Sequence, residues 1–234
     1  MRTNDPVERR EFLKSAGGFA GLLAFILNGP SAIAAAAESG QRSVQRDPAQ
    51  LRRLLNSMEA KGGQFWSVPR KDGEFLHFLV KVARARHVLE VGTSHGYSAI
   101  WMGLALEETE GRLTTIEIDR ARHELARRNV ALAGLAQRVA LLHGDAHAAL
   151  PALDGPFDFV FLDADKEGQV DYFRQLHPRK LAPGGVIAVH NAIRQAGAMR
   201  DYLTLVRDHP DFDTVTISAT LDDGFCLSYR RRTV

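Results

Sequence analysis

Five short β-rich runs recur along the chain with helical segments between them: HVLEVG (87–92), RLTTIEI (112–118), RVALLHG (138–144), FDFVFLD (157–163) and GVIAVHN (185–191). Runs that are apolar nearly throughout and alternate with helices are strands buried on both faces of a parallel sheet, joined by right-handed crossovers. The rhythm then changes. DTVTISA (213–219) and GFCLSYR (224–230) are joined by only a short link around Leu221-Asp222-Asp223. Such a link closes a hairpin and cannot cross over, so the last two strands are antiparallel. The expected fold is α/β: a seven-stranded, mostly parallel sheet with a C-terminal antiparallel hairpin and helices on both faces. At 234 residues the chain has room for one sizeable domain.

Helices precede this pattern. Asp47 suits an N-cap and Pro48 a first turn, Leu51, Leu54, Leu55 and Met58 follow at helical spacing, and Gly62-Gly63 ends the helix. Lys71-Asp72-Gly73 opens a second helix whose apolar face is Phe75, Leu76, Leu79, Val80 and Ala83. Cys226 sits in an apolar strand, where a lone cysteine packs as a small buried side chain. The formal charge is +2 and the basic residues are scattered among acids, which offers nucleic acid no extended basic face.

Ligands of doubly wound sheets sit beyond the carboxyl ends of the strands. Strand one ends Glu90-Val91-Gly92, and the next glycine is Gly96. A dinucleotide turn needs G-x-G-x-x-G so that a helix N-terminus can approach a pyrophosphate, and only two glycines are present here, at another spacing. The turn offers instead the Glu90 carboxylate and the hydroxyls of Thr93, Ser94, Tyr97 and Ser98, which suit a ligand with an ammonium group, a carboxylate and no phosphate. Strand two ends at Glu117, where an acid can accept both hydroxyls of a ribose. Strand three ends Gly144-Asp145-Ala146, a carboxylate placed to accept from an adenine amino group. Each acid alone reads as an N-cap to the following helix. Three at successive strand ends together describe an adenosine with an amino-acid tail, S-adenosylmethionine.

The runs LEVGTSHGYSA, TTIEIDRARHELARRN, GDAHAALPAL, FDFVFLDADKEGQVDYF and LAPGGVIAVHNA, in that order and spacing, resemble the cation-dependent O-methyltransferase family that includes catechol and caffeoyl-CoA O-methyltransferases. The similarity spans roughly Met58 to the C-terminus and implies the class I, Rossmann-like methyltransferase fold. By that resemblance Glu90, Gly92, Ser94, Tyr97, Ser98, Glu117, Asp145 and Ala146 line the cofactor site, Val68 closes over the methionine end, and Asp163 borders it. The resemblance also implies that Asp163 binds a divalent metal and that Lys166 takes the proton of the acceptor hydroxyl. A metal chelating two vicinal phenolic oxygens lowers their pKa, and a base beside them completes the deprotonation.

One position departs from the family pattern. Where the family has Asp-Asn as its other two metal ligands, this chain has His190-Asn191. Imidazole in place of carboxylate removes a charge and a hard oxygen donor, which disfavours magnesium and favours manganese, iron, cobalt or zinc. Three readings stand: a metal site of Asp163, His190 and Asn191, a metal-free site with His190 as general base, or a site that binds cofactor without turnover. Asp165 is expected to restore some of the missing charge.

The implied acceptor is a small hydroxylated aromatic, a vicinal diphenol by the family pattern. Phe65, Trp66 and Tyr172 either flank its ring or belong to the core. Family members are often dimers, so a homodimer is expected. At the N-terminus, Arg9-Arg10 with Phe12-Leu13-Lys14, an apolar run (16–27) and alanine-rich residues (32–37) resemble a twin-arginine export signal. Residues 1–37 are therefore read as a signal, 38–47 as a linker and 48–234 as the methyltransferase domain. The expected location is the periplasm, with the cytoplasm or the inner face of the membrane as alternatives and no stable membrane span once the signal is removed.

Overall fold

The computed structural model describes residues 46–218 and 223–232; the signal reading lies outside the described residues, as does all of 38–47 but its last two. Seven strands form one sheet: β1 (His87–Val91), β2 (Arg112–Glu117), β3 (Val139–His143), β4 (Phe157–Leu162), β5 (Leu181–His190), β6 (Phe212–Ile217) and β7 (Phe225–Arg230). Their order is β3-β2-β1-β4-β5-β7-β6. β1 to β5 pair in parallel, while β7 runs antiparallel to both β5 and β6. The parallel sheet and its terminal hairpin are therefore as the strand spacing requires.

The helices are α1 (Pro48–Glu59), α2 (Gly62–Phe65), α3 (Arg70–Val82), α4 (Tyr97–Thr109), α5 (Arg120–Leu132), α6 (Ala146–Ala149), α7 (Gln169–Leu176) and α8 (Arg200–Asp208). Asp47 caps α1 by accepting from the Ala49 N–H at 2.8 Å. Gly62-Gly63 does more than end that helix: the chain turns at Ala60 and the glycines open the single turn α2. α3 begins at Arg70, after Pro69, which leaves Asp72 inside the first turn, wholly buried. No helix among the described residues is long and apolar enough to cross a membrane.

Alternate strand residues feed two apolar layers. Val88, Phe159, Phe161, Ala188 and Phe225 pack beneath α3 and α4, and Leu89, Val91, Val160, Leu162, Ile187 and Val189 pack beneath α7 and α8. Each such side chain contributes roughly 1.5–3 kcal/mol when fully buried. α4 is apolar on nearly all sides, as suits a helix packed against both the sheet and α3. Cys226 is buried in β7, as expected.

Gly73 sets how closely α3 approaches α4, since a Cβ there would lie 2.2 Å from Cδ1 of Trp101. Ala at a helix interior gains about 0.5–1 kcal/mol over Gly, whereas overpacking costs about 1–3 kcal/mol. With a rigid indole at 2.2 Å the overpacking stands at the upper end of that range, so Gly73→Ala is expected to cost about 2 kcal/mol net and to lower the melting temperature by roughly 4–8 °C. A thermal melt followed by circular dichroism checks this, and an unchanged or raised midpoint would contradict the close packing.

Candidate functional site

The carboxyl ends of β1, β2, β4 and β5 meet along one edge of the sheet. Gly92 is where β1 comes closest to β4: its φ is +98°, and a Cβ there would stand 2.7 Å from the carbonyl oxygen of Asp163. Only a glycine lets the first turn lie against the residue that ends β4.

Around that turn the polar groups are already paired. Glu117 accepts the Ser94 N–H at 2.7 Å through Oε2 and the Asp119 N–H at 2.8 Å through Oε1. Its carboxylate is held by backbone and keeps free lone pairs for further donors. Glu90 is fully buried and accepts from the hydroxyls of Ser98 and Thr115, each at 2.5 Å. Burial pushes the Glu90 carboxyl up to about 7, against the two hydroxyl donors that pull it down. It braces β1 to β2 and α4 and is not presented to solvent.

The turn hydroxyls, read from the sequence as ligand contacts, are spent inside the protein. Thr93 bonds Thr115, Ser94 donates to the Phe65 carbonyl, Ser98 donates to Glu90, and Tyr97 donates to Glu59 at 2.6 Å. Tyr97 opens α4 as a buried side chain whose hydroxyl is directed to α1. Val68 is buried just ahead of α3, and Ala146 is buried at the start of α6. Asp145 caps α6 by accepting the His147 N–H at 2.9 Å, the ordinary capping role, with its other oxygen not so engaged. The segment holding α2 is tied over the turn by the Ser94 to Phe65 bond and by His95 Nε2 with Ser67 at 3.1 Å. Burial, helped by Arg122, lowers His95 to about 4 and keeps it neutral.

At the ends of β4 and β5 the structure brings Asp163, Lys166 and His190 together. Lys166 Nζ donates to Asp163 Oδ1 at 2.7 Å, and His190 Nδ1 stands 3.4 Å from the same oxygen. His190 Nε2 meets Asp72 Oδ2 at 2.8 Å. Burial alone would raise the Asp163 carboxyl, yet Lys166 and His190 outweigh it and hold it below its usual range. Burial would lower His190, but Asp163 and Asp72 overcome it and raise the imidazole to about 9. Asn191, with φ of +63°, donates from Nδ2 to Asp223 Oδ1 at 3.2 Å, which leaves its amide oxygen available.

One expectation changes here. Asp165 does not reinforce the Asp163 site: it accepts from the Tyr172 hydroxyl and faces His147 Nε2 at 3.5 Å. Tyr172 is a buried core residue, stacked on His147. Phe65 is half-buried, and Trp66 is exposed with the Arg122 guanidinium 4.5 Å from its ring centre. Asp72 was not legible as a site residue, because its only sequence mark is an acid in a helix first turn.

The donors present fit a divalent transition metal. A carboxylate, an imidazole nitrogen and an amide oxygen form a mixed, borderline set. A ligating histidine commonly donates its other ring N–H to a carboxylate, as Nε2 is placed to do with Asp72.

Residues 41–220 match the family model described as O-methyltransferase. The catechol O-methyltransferase of Mycobacterium tuberculosis is 38% identical over 180 residues, covering 70% of this chain and 81% of that protein. The catechol O-methyltransferase of Niastella koreensis is 39% identical over 153 residues, covering 64% and 68%. Among solved structures, the O-methyltransferase from Bacillus cereus in complex with SAH superposes with a TM-score of 0.71 at 27% identity, covering 84% of this chain and 97% of that one. TomG of Streptomyces achromogenes, an O-methyltransferase in complex with SAM, gives 0.69 at 29% identity, covering 85% and 96%.

Both buried groups above have raised values, so the sign of their pH dependence is shared. The stability from neutral Glu90 is complete below pH 4.5 and is lost as pH rises through about 7; that from protonated His190 is complete below 6.5 and is lost as pH rises through about 9. In chelator the melting temperature is expected to fall between pH 4.5 and about 7 and again between 6.5 and about 9, and Glu90→Gln to remove the first fall. Melting curves at pH 4.5, 6.5 and 9 check this, and a flat wild-type profile would refute it.

Proposed function

The chain belongs to the O-methyltransferase family, and on that premise we propose that it moves the methyl group of S-adenosylmethionine to one hydroxyl of a small vicinal diphenol, with a divalent metal held by Asp163, His190 and Asn191. The observation that carries this reading is the convergence of Asp163, Lys166 and His190 at the ends of β4 and β5. When bound, S-adenosylmethionine supplies the electrophilic methyl, and the metal supplies positive charge that acidifies the hydroxyls.

The chain's own residues do the rest. Glu117, fixed by two backbone N–H groups, receives the ribose hydroxyls, and Asp145 uses its remaining oxygen on the adenine amino group. Glu90 shapes the turn from below, and Val68 covers the methionine end. Lys166 Nζ, which meets Asp163 Oδ1 at 2.7 Å, is the group placed to take the proton of the acceptor hydroxyl. The chain's main contribution to the transfer is to hold the acceptor oxygen in line with the methyl carbon, whose bond to sulfur breaks as the thioether S-adenosylhomocysteine leaves, and to exclude water.

A second reading draws on the contact of His190 with Asp72: an imidazole backed by a buried carboxylate is a capable base, and would take the proton without a metal. The two readings part on the response to a chelator.

We further propose a homodimer, supported by an apolar groove of about 450 Å³ between Leu79, Val186, Val215, Leu227 and Tyr229 and by exposed Phe78 and Val82. Export of the chain by its twin-arginine-like segment is proposed on the sequence pattern of residues 1–37.

The test is transfer of labelled methyl from S-adenosylmethionine to a catechol acid with Mn²⁺, Mg²⁺ or chelator. Transfer is expected with Mn²⁺ above Mg²⁺ and none in chelator; full activity in chelator would replace the first reading by the second. Lys166→Met is expected to lower kcat about 100-fold or more while cofactor affinity, measured by calorimetry, stays unchanged. An unaltered kcat would remove Lys166 from the reaction.

A further inference from the structure

Asp72 is a buried acid with an unusual environment. It has no solvent exposure, it does not cap its helix, and its hydrogen bond is to His190, which lies 118 residues further along the chain. Its other oxygen, Oδ1, is buried without a hydrogen-bond partner. Desolvating a carboxylate costs several kcal/mol unless a charged or strongly donating partner offsets it. The helix N-terminus contributes a fraction of that, so His190 is the partner that makes an acid tolerable at this position.

The contact fixes more than charge. With Nε2–H donated to Asp72 Oδ2 at 2.8 Å, Nδ1 is the nitrogen that faces Asp163 Oδ1 at 3.4 Å, and its proton is the one a metal held there would displace. The ring could otherwise adopt either tautomer. The neighbouring strand end repeats the device: Asp223 accepts from Asn191 Nδ2, which directs that amide's oxygen away from Asp223. The one departure from the family pattern, His190, and the unchanged Asn191 beside it are thus each met by an acid from another segment. Placement of Asp72 depends in turn on Gly73, whose lack of a side chain lets α3 settle against Trp101.

We infer that Asp72 is a positioning residue that holds His190 with Nδ1 directed at Asp163, making the imidazole a fixed donor of the divalent-metal site. This rests on the metal reading proposed above.

The test uses Mn²⁺ binding to the whole chain, followed by electron paramagnetic resonance, in wild type, Asp72→Leu and Asp72→Asn. Leu fills the space and cannot accept; Asn keeps an oxygen for Nε2–H. Expected is a 10–100-fold weaker Mn²⁺ affinity in Asp72→Leu and a loss of less than about fivefold in Asp72→Asn, with the melting temperature reporting the fold. Equal affinity in wild type and Asp72→Leu overturns the inference alone, and so does an equal loss in Leu and Asn, which would mark a charge effect in place of orientation. Wild type that binds no Mn²⁺ overturns the inference together with the metal reading. A measurement independent of any variant is ¹⁵N NMR of His190 with Zn²⁺ bound: a proton on Nε2 and a metal-shifted Nδ1 are expected, and a proton on Nδ1 overturns the inference.

Discussion

Four ionisable side chains sealed under one edge of the sheet have to neutralise one another. Asp72, His190, Asp163 and Lys166 expose at most 12% of any side chain, and they form a row in which acid and base alternate. Breaking one contact in such a row strands a charge away from water, at a cost of about 3–5 kcal/mol. The fold around them reads as a means of holding that row. β4 and β5 carry Asp163 and His190 on adjacent ends, the turn after β4 returns Lys166, and α3, packed on the face lined by Phe161, Ala188 and Phe225, brings Asp72.

The contrast with Asp165 shows how local geometry separates residues that sequence places together. Asp163 and Asp165 lie two apart in one turn, yet Asp165 turns toward Tyr172 and His147 and joins the wall on the α6 and α7 side. That wall includes the His147 and Asp171 pair at 2.6 Å, where the carboxylates overcome burial and raise the imidazole. The second carboxylate next to His190, beside Asp163, therefore comes from α3 and not from this turn.

The strands were readable because apolar runs and their spacing are local properties, and the final hairpin followed from a link too short to cross the sheet. Asp163, Lys166 and His190 were readable because a strand end is where such a sheet presents side chains. The partners of the first-turn hydroxyls were not legible: Thr93, Ser94, Tyr97 and Ser98 all have nearby acceptors within the protein, and pattern alone does not show which acceptor a rotatable O–H will reach. Gly62-Gly63 was read as a stop, although glycine also permits a new turn to start. Asp72 was missed because nothing near it in sequence records its partner.

Asp72 and His190 lie 118 residues apart in sequence yet touch, so the effects of exchanging them are expected not to add. An aspartate at position 190 would set a second carboxylate on the side of buried Asp72, and a chain keeping His190 without Asp72 would leave its ring free to turn. Exchange of both residues is therefore expected to cost less stability than the two single exchanges summed, which ties two distant stretches of sequence to one site.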